Sequence, residues 1–124
     1  MEKQNFYDLD VWKKSVIICK DTYILTKKFP RSEIFGIIDQ LKRAVTSISA
    51  NIAEGYERYY YADKVRYYYQ ARGSISEVQC FLLLSIELGY IENKDQIEGL
   101  WRTLNEIIKM LNGLIRYTKE HKNS

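Results

Sequence analysis

The stretch Ile34-Phe35-Gly36-Ile37-Ile38-Asp39-Gln40-Leu41-Lys42-Arg43-Ala44-Val45-Thr46-Ser47-Ile48-Ser49-Ala50-Asn51-Ile52-Ala53-Glu54-Gly55 decides the fold. Its apolar residues Ile34, Ile37, Ile38, Leu41, Ala44, Val45, Ile48 and Ile52 recur at steps of three and four, which lines them along one face of an α-helix. Ser32 offers an N-cap, and Gly55 offers a C-terminal stop. Working outward, Leu9, Trp12, Val16, Cys19, Tyr23, Leu25 and Phe29 form a first helical stripe that must end at Pro30, because the residue before a proline avoids the helical region. A third helix is predicted from about Ala62 to Leu88 on Val65, Tyr68, Tyr69, Ile75, Val78, Leu82, Leu83 and Ile86, stopped by Gly89. Asn93 is placed to cap a fourth, carrying Ile97, Leu100, Trp101, Leu104, Ile107, Ile108, Leu111, Leu114 and Ile115, with Lys119 to Ser124 expected to fray. Helices of about 22 to 27 residues, each about 35 Å long, with short connections predict an all-α fold: a single antiparallel up-down-up-down four-helix bundle over residues 1–124.

Composition bounds the function. A chain of 124 residues buries roughly two thirds of its unfolded surface, enough for a core without disulfides or metal. Cys19 and Cys80 fall within apolar helical patterns and read as small hydrophobes in a reducing compartment. Residues Met1 to Asn5 lack the order of a signal peptide, and no apolar run approaches the roughly 20 residues that span a bilayer, so a cytoplasmic protein with no membrane contact is expected. Net charge is +3, from 19 Lys and Arg against 16 Asp and Glu, too mild by itself to prove nucleic-acid binding. Residues 8–29 and 57–72 each carry a local excess of two positive charges, whereas residues 73–91 hold only Glu77 and Glu87.

Two polar clusters interrupt the stripes. Ser47, Asn51, Glu54 and Gly55 lie on the second helix, and Arg72, Gly73, Ser74 and Glu77 on the third. The hairpin brings these clusters together, with Gln40 and Ser74 joining further along. A carboxylate buried in an apolar face costs several kcal/mol unless paired, so Glu54 or Glu77 is expected to need Arg72, and the pair would fix helix register or a subunit interface. A ligand site is the other reading. The small residues Gly36, Ala44, Ser47, Ala50, Ala53, Gly55 and Gly73 would permit close backbone approach.

Seven of the eleven tyrosines, at positions 56, 59, 60, 61, 67, 68 and 69, surround the second connection, and one helix of one bundle cannot bury them all. With Arg58, Lys64 and Arg66 interleaved, Tyr60 and Tyr67 have the makings of a single-stranded nucleic-acid platform, where bases stack on rings and cations follow phosphates. Tyrosine and arginine are equally the residues of protein–protein contacts.

Enzyme chemistry is poorly provided for. The sole histidine, His121, cannot build the paired Glu-x-x-His site of di-iron bundles, no histidine lies near either cysteine in sequence, and no phosphate-cradling glycine loop occurs. Arg116 and His121 have the Arg-x-x-x-x-His spacing that resembles the motif of helical ribonucleases of the HEPN class. Tyr117 stands where that class tends to have a polar residue. Trp12 and Trp101 fall on apolar stripes and read as core anchors. No cofactor, metal site or small-molecule substrate follows from these residues.

The chain resembles the bacterial four-helix-bundle proteins first noticed as products of intervening sequences in large-subunit ribosomal RNA genes. The resemblance rests on Leu9-Asp10-Val11-Trp12-Lys13, Phe29-Pro30, Glu33-Ile34-Phe35-Gly36, Gln40-Leu41-Lys42-Arg43-Ala44, Ser47-Ile48-Ser49-Ala50-Asn51-Ile52-Ala53-Glu54-Gly55 and Ala71-Arg72-Gly73-Ser74-Ile75-Ser76-Glu77. Family members usually carry proline where this chain has Ser49. The resemblance implies a homopentameric bundle without enzymatic activity and with an association with RNA. Similar bundles serve as accessory proteins of diversity-generating retroelements. The expected function is thus a non-enzymatic, self-assembling scaffold associated with RNA or ribonucleoprotein. An RNA-binding accessory protein is the alternative, and a HEPN-like ribonuclease a third.

Overall fold

A computed structural model describes residues 4–121, and among these it is all-helical, with no strand. The four helices are α1 (Asp10–Thr26), α2 (Ile37–Glu57), α3 (Tyr61–Glu87) and α4 (Glu98–Glu120), with short 3-10 turns at Phe6–Asp8, Arg31–Glu33 and Lys94–Ile97. Cross-links between neighbours run in opposite senses. Ser15 meets Ser49 and Lys42 lies over Tyr23; Ser47 meets Ser74 and Tyr56 meets Lys64; Tyr69 meets Lys119 and Gln79 meets Asn105. Adjacent helices are therefore antiparallel, and the molecule is a four-helix bundle. Helices α2 and α3 form its most extensive pairing.

The core is built from most of the predicted stripes on α2, α3 and α4, although Tyr69 and Leu83 are exposed. On α1 the buried face is Val11, Ser15, Ile18, Thr22 and Thr26, about one residue's rotation from the expected Trp12, Val16 and Cys19, and Tyr23 is exposed. Ile18, Leu41, Val45, Ile48, Ile52, Ile75, Val78, Leu82, Leu104, Ile107 and Leu111 are all fully buried. Buried hydroxyls are satisfied locally: Thr22 donates to the Ile18 carbonyl, Ser85 to Phe81 and Thr118 to Leu114. No buried side-chain nitrogen or oxygen among the described residues lacks a partner.

The ends of the helices depart from the sequence reading in instructive ways. Helix α1 stops at Thr26 because the backbone of Lys27, Lys28 and Phe29 tightens into three-residue hydrogen bonds ahead of Pro30. Helix α2 begins at Ile37, later than Ser32 suggested. The Glu33 carboxylate takes the cap position, its Oε1 3.4 Å from the Ile37 amide, and it fills the space where a side chain on Gly36 would stand. Ile34 thus drops off the buried stripe, and Phe35 is 96 % exposed.

Gly55 does not end α2, which runs on to Glu57. An added Cβ at Gly55 would lie 2.7 Å from Tyr68 Cε1 and 3.0 Å from Tyr67 Cβ, so this glycine is where α3 closes upon α2. Gly89 does stop α3, at φ +82°, with Tyr90 N bonded to the Ser85 carbonyl and Gly89 N to that of Ile86, the paired bonds of a Schellman motif. Asn93 caps the 3-10 turn ahead of α4 rather than α4 itself. Helix α4 stays regular through Lys119 and Glu120, where fraying was expected; Lys122, Asn123 and Ser124 lie outside the described residues. Cys19 is half-buried and Cys80 exposed; both are free thiols, so only the first behaves as a core hydrophobe.

Candidate interaction surface on the middle hairpin

Of the seven ladder residues, the structure joins three. Ser74 Oγ donates to Ser47 Oγ across the hairpin at 2.9 Å, and Asn51 Nδ2 donates to both Ser47 Oγ and the Ser47 carbonyl, each at 2.9 Å. A second hydroxyl pair that sequence reasoning missed links α1 to α2: Ser15 Oγ donates to the Trp12 carbonyl, which leaves Ser49 to donate to Ser15 at 2.9 Å. The signal was present, since Ser15 sits between Trp12 and Cys19 on the apolar stripe.

The expected ion pair of Arg72 with Glu54 or Glu77 does not form. Glu54 and Glu77 are exposed, so neither carboxylate needs a buried counter-charge. Glu54 instead pairs with Arg58 one turn on, at 3.1 Å. Arg72 turns to α4, where it donates to Asn112 Oδ1 at 2.8 Å and lies over the Tyr69 ring. Gln40 is exposed as well. Gln40, Ala50 and Glu54 on α2, and Gly73, Glu77, Cys80 and Leu84 on α3 with Leu88 just past its end, are the exposed positions of the hairpin's outer side. An added Cβ at Gly73 meets nothing within 4 Å, so contacts within the chain do not explain a glycine there.

Around the second connection the expected cations are tied to their own chain. Lys64 Nζ donates to the Tyr56 carbonyl at 2.7 Å and, at 3.5 Å, to that of Gly55, which places its charge at the negative end of α2. Arg58 donates to Tyr67 Oη at 2.8 Å, and the guanidinium groups of Arg58 and Arg66 both lie over the Tyr67 ring, at 4.9 and 4.7 Å. Arg66 also faces Asp63 at 3.8 Å. A similar arrangement recurs on the α4 side, where Arg72 and Lys119 lie over Tyr69 and Lys119 donates to its hydroxyl at 3.0 Å. That hydrogen bond, with the two cations, lowers the Tyr69 phenol below its ordinary pKa.

Tyr67 is therefore covered by cations and is a poor stacking platform as it stands. The open rings are Tyr59, 87 % exposed, and Tyr60, 67 % exposed, which meet edge to face at 5.0 Å, with Tyr61 and Tyr117 also exposed. Tyr68 is buried against Gly55, and its burial holds the phenol far above the ordinary value. At the end of α4 the His121 ring stacks on Tyr117 at 3.9 Å with Nδ1 2.8 Å from the Tyr117 carbonyl, while Arg116 lies back toward Gly113. Among the described residues no group of three or more His, Cys, Asp or Glu side chains could hold a metal ion, and no helix is long and apolar enough to cross a membrane.

An antiparallel hairpin with a hydroxyl-linked seam at the centre of a four-helix bundle is the architecture of the family the sequence resembles. Residues 7–113 match the family of 23S rRNA-intervening sequence proteins, and the chain belongs to that family. No curated protein matches it. Among solved structures it is similar to a protein of unknown function from the S23 ribosomal protein family of Bacteroides thetaiotaomicron, with 28 % identity, a TM-score of 0.74, and coverage of 85 % of this chain and 97 % of the other.

Proposed function

We infer that this chain is a non-enzymatic, self-assembling scaffold of the cytoplasm that associates with RNA or ribonucleoprotein. The observation that carries the reading is the set of apolar and aromatic side chains one bundle leaves uncovered: Phe35, Leu84 and Leu88 toward one end, Tyr59 and Tyr60 at the other. Leu84 and Leu88 continue the stripe of Gly73, Glu77 and Cys80 at helical spacing, a surface suited to a neighbouring protomer. The family resemblance makes the expected assembly a pentamer, and the family's name supports the RNA association.

Light scattering of the purified chain at micromolar concentration tests assembly. An oligomer that dissociates on Leu84→Glu supports it, and a monomer at every concentration refutes it. A second reading, RNA binding through this surface, is favoured by Arg58 and Arg66, whose side chains are 43 % and 55 % accessible beside open rings. It predicts single-stranded RNA affinity that falls with salt and falls again in Arg66→Glu. Affinity indifferent to both would end it. Lys64→Glu is a poor probe, because that ammonium also holds the end of α2.

A further inference from the structure

We propose that the corner where the α2–α3 connection meets the end of α4 is a pocket for a single nucleobase. This deepens the RNA-associated reading and rests on it. The cavity is about 140 Å³, walled by Tyr56, Tyr61 and Tyr68 from the hairpin and by Tyr117 from α4, with Lys64 and His121 at its edge. Pockets for drug-sized ligands run about 300–1,000 Å³, so this one takes a single planar ring system and not a whole nucleotide.

The walls select the chemistry. Aromatic rings stack on any nucleobase, and a cage of tyrosines would equally suit a cationic ligand. Here, however, the Lys64 ammonium already lies 5.5 Å from the Tyr56 ring centroid and takes the place a ligand cation would occupy on that ring. A neutral base attached to a phosphate is the better match. The polar handle is Tyr68. Its ring is 1 % exposed and its hydroxyl has no hydrogen bond to a described residue, yet no fully buried oxygen is left unsatisfied, so that oxygen borders the cavity. Burial keeps the phenol protonated, a donor for a base carbonyl or ring nitrogen. The His121–Tyr117 stack extends the aromatic wall past the rim, where a neighbouring base of a strand could lie.

Titrating the full chain with a nucleoside 5′-monophosphate, and separately with ribose 5-phosphate, while following tyrosine ring resonances by NMR tests the proposal. The nucleotide should shift the rings of Tyr61, Tyr68 and Tyr117, and the baseless sugar phosphate should not. Tyr117→Ala, an exposed position, should weaken binding about fivefold or more. Tyr68→Phe should weaken it while leaving the fold intact. Equal responses to both ligands, or unchanged affinity in Tyr117→Ala, overturn the pocket. An oligoribonucleotide separates the two readings. Strand binding with silent rings sinks the pocket alone, whereas rings that answer the monophosphate without any salt-dependent strand binding uphold the pocket and sink the RNA association.

Discussion

Two glycines inside helices offer a matched test of the hairpin's packing. Replacing an interior helical glycine by alanine gains about 1 kcal/mol of helix propensity. At Gly73 the new methyl enters open space, so Gly73→Ala should stabilise the chain by about that amount. At Gly55 the methyl would sit 2.7 and 2.9 Å from two ring carbons of Tyr68, and Tyr68 is fully buried, so its ring has nowhere cheap to go. Overpacking of this kind costs about 1–3 kcal/mol, and Gly55 lies in the last turn of α2, where the propensity gain is at most equal to that at Gly73. The propensity terms largely cancel between the variants, so Gly55→Ala should be less stable than Gly73→Ala by about 1–3 kcal/mol. Urea unfolding with an unchanged m-value measures this, at a protein concentration where the state of association is the same for both. A Gly55→Ala chain as stable as Gly73→Ala would refute the close approach of α2 and α3. Loss of the Gly73→Ala gain only when the chain is assembled would mark a neighbouring protomer at that position.

Removing the cap on α2 by Lys64→Met should lower stability by about 1 kcal/mol, read as a lower urea midpoint, because the Tyr56 carbonyl loses its charged donor. Alkaline pH should also weaken the fold. The Tyr90 hydroxyl, 2.6 Å from Glu33 Oε2, titrates above its ordinary value chiefly because of that hydrogen bond, and Tyr68 does so through burial. In both cases the folded chain holds its proton longer than the unfolded one. Their contribution is therefore full below about pH 10 and is lost as pH rises through the raised values. Unfolding midpoints across that range should fall less steeply in Tyr90→Phe, and an equal slope would exclude the Glu33 contact. Arg72→Ala should loosen α3 against α4 but leave Glu54 and Glu77 unaffected, which a double-mutant cycle with Asn112→Ala checks against one with Glu77→Ala.

Helix number, and most core membership on α2, α3 and α4, were legible because both follow from period and punctuation; on α1 the stripe was misplaced because Ser15, Thr22 and Thr26 share the buried face with Val11 and Ile18. Ile48, Ile75 and Leu104 needed only their spacing to be placed inside, and Gly89 needed only its position to be a stop. Partner identity across helices was not legible. One residue is about 100° of rotation, so a small error in phase moves Arg72 from the α2 side of its helix to the α4 side. The expectation that Glu54 required Arg72 also assumed burial, and at the edge of a two-helix face a carboxylate can remain in water. Gly55 allowed two readings, a helix stop and a point of close approach; only the second holds, and it is the position of Tyr68 that decides between them. Lys64 looked like a phosphate ligand because its backbone-capping role depends on how tightly the connection turns.

The seam itself bears on how such a bundle keeps its surface available. Its inter-helix polar contacts, Ser15 with Ser49 and Ser47 with Ser74, are neutral, Asn51 adds a bond to Ser47 within α2, and these hydroxyls are satisfied without taking a charge out of water. A buried ion pair in their place would have carried a desolvation cost of several kcal/mol per ion. The charged residues of the hairpin are left outside. The exposed pairs Arg58–Glu54 and Arg66–Asp63 contribute only about 0–1 kcal/mol each and are cheap to rearrange, and Glu77 is exposed as well. Register is thus supported by neutral groups at or near the interior, with Ser15 and Ser74 buried, while Leu84, Leu88 and the open tyrosine rings supply apolar area beside exposed charge. In the proposed scaffold, that division lets the outer face of α2 and α3 meet a partner without disturbing the helices that present it.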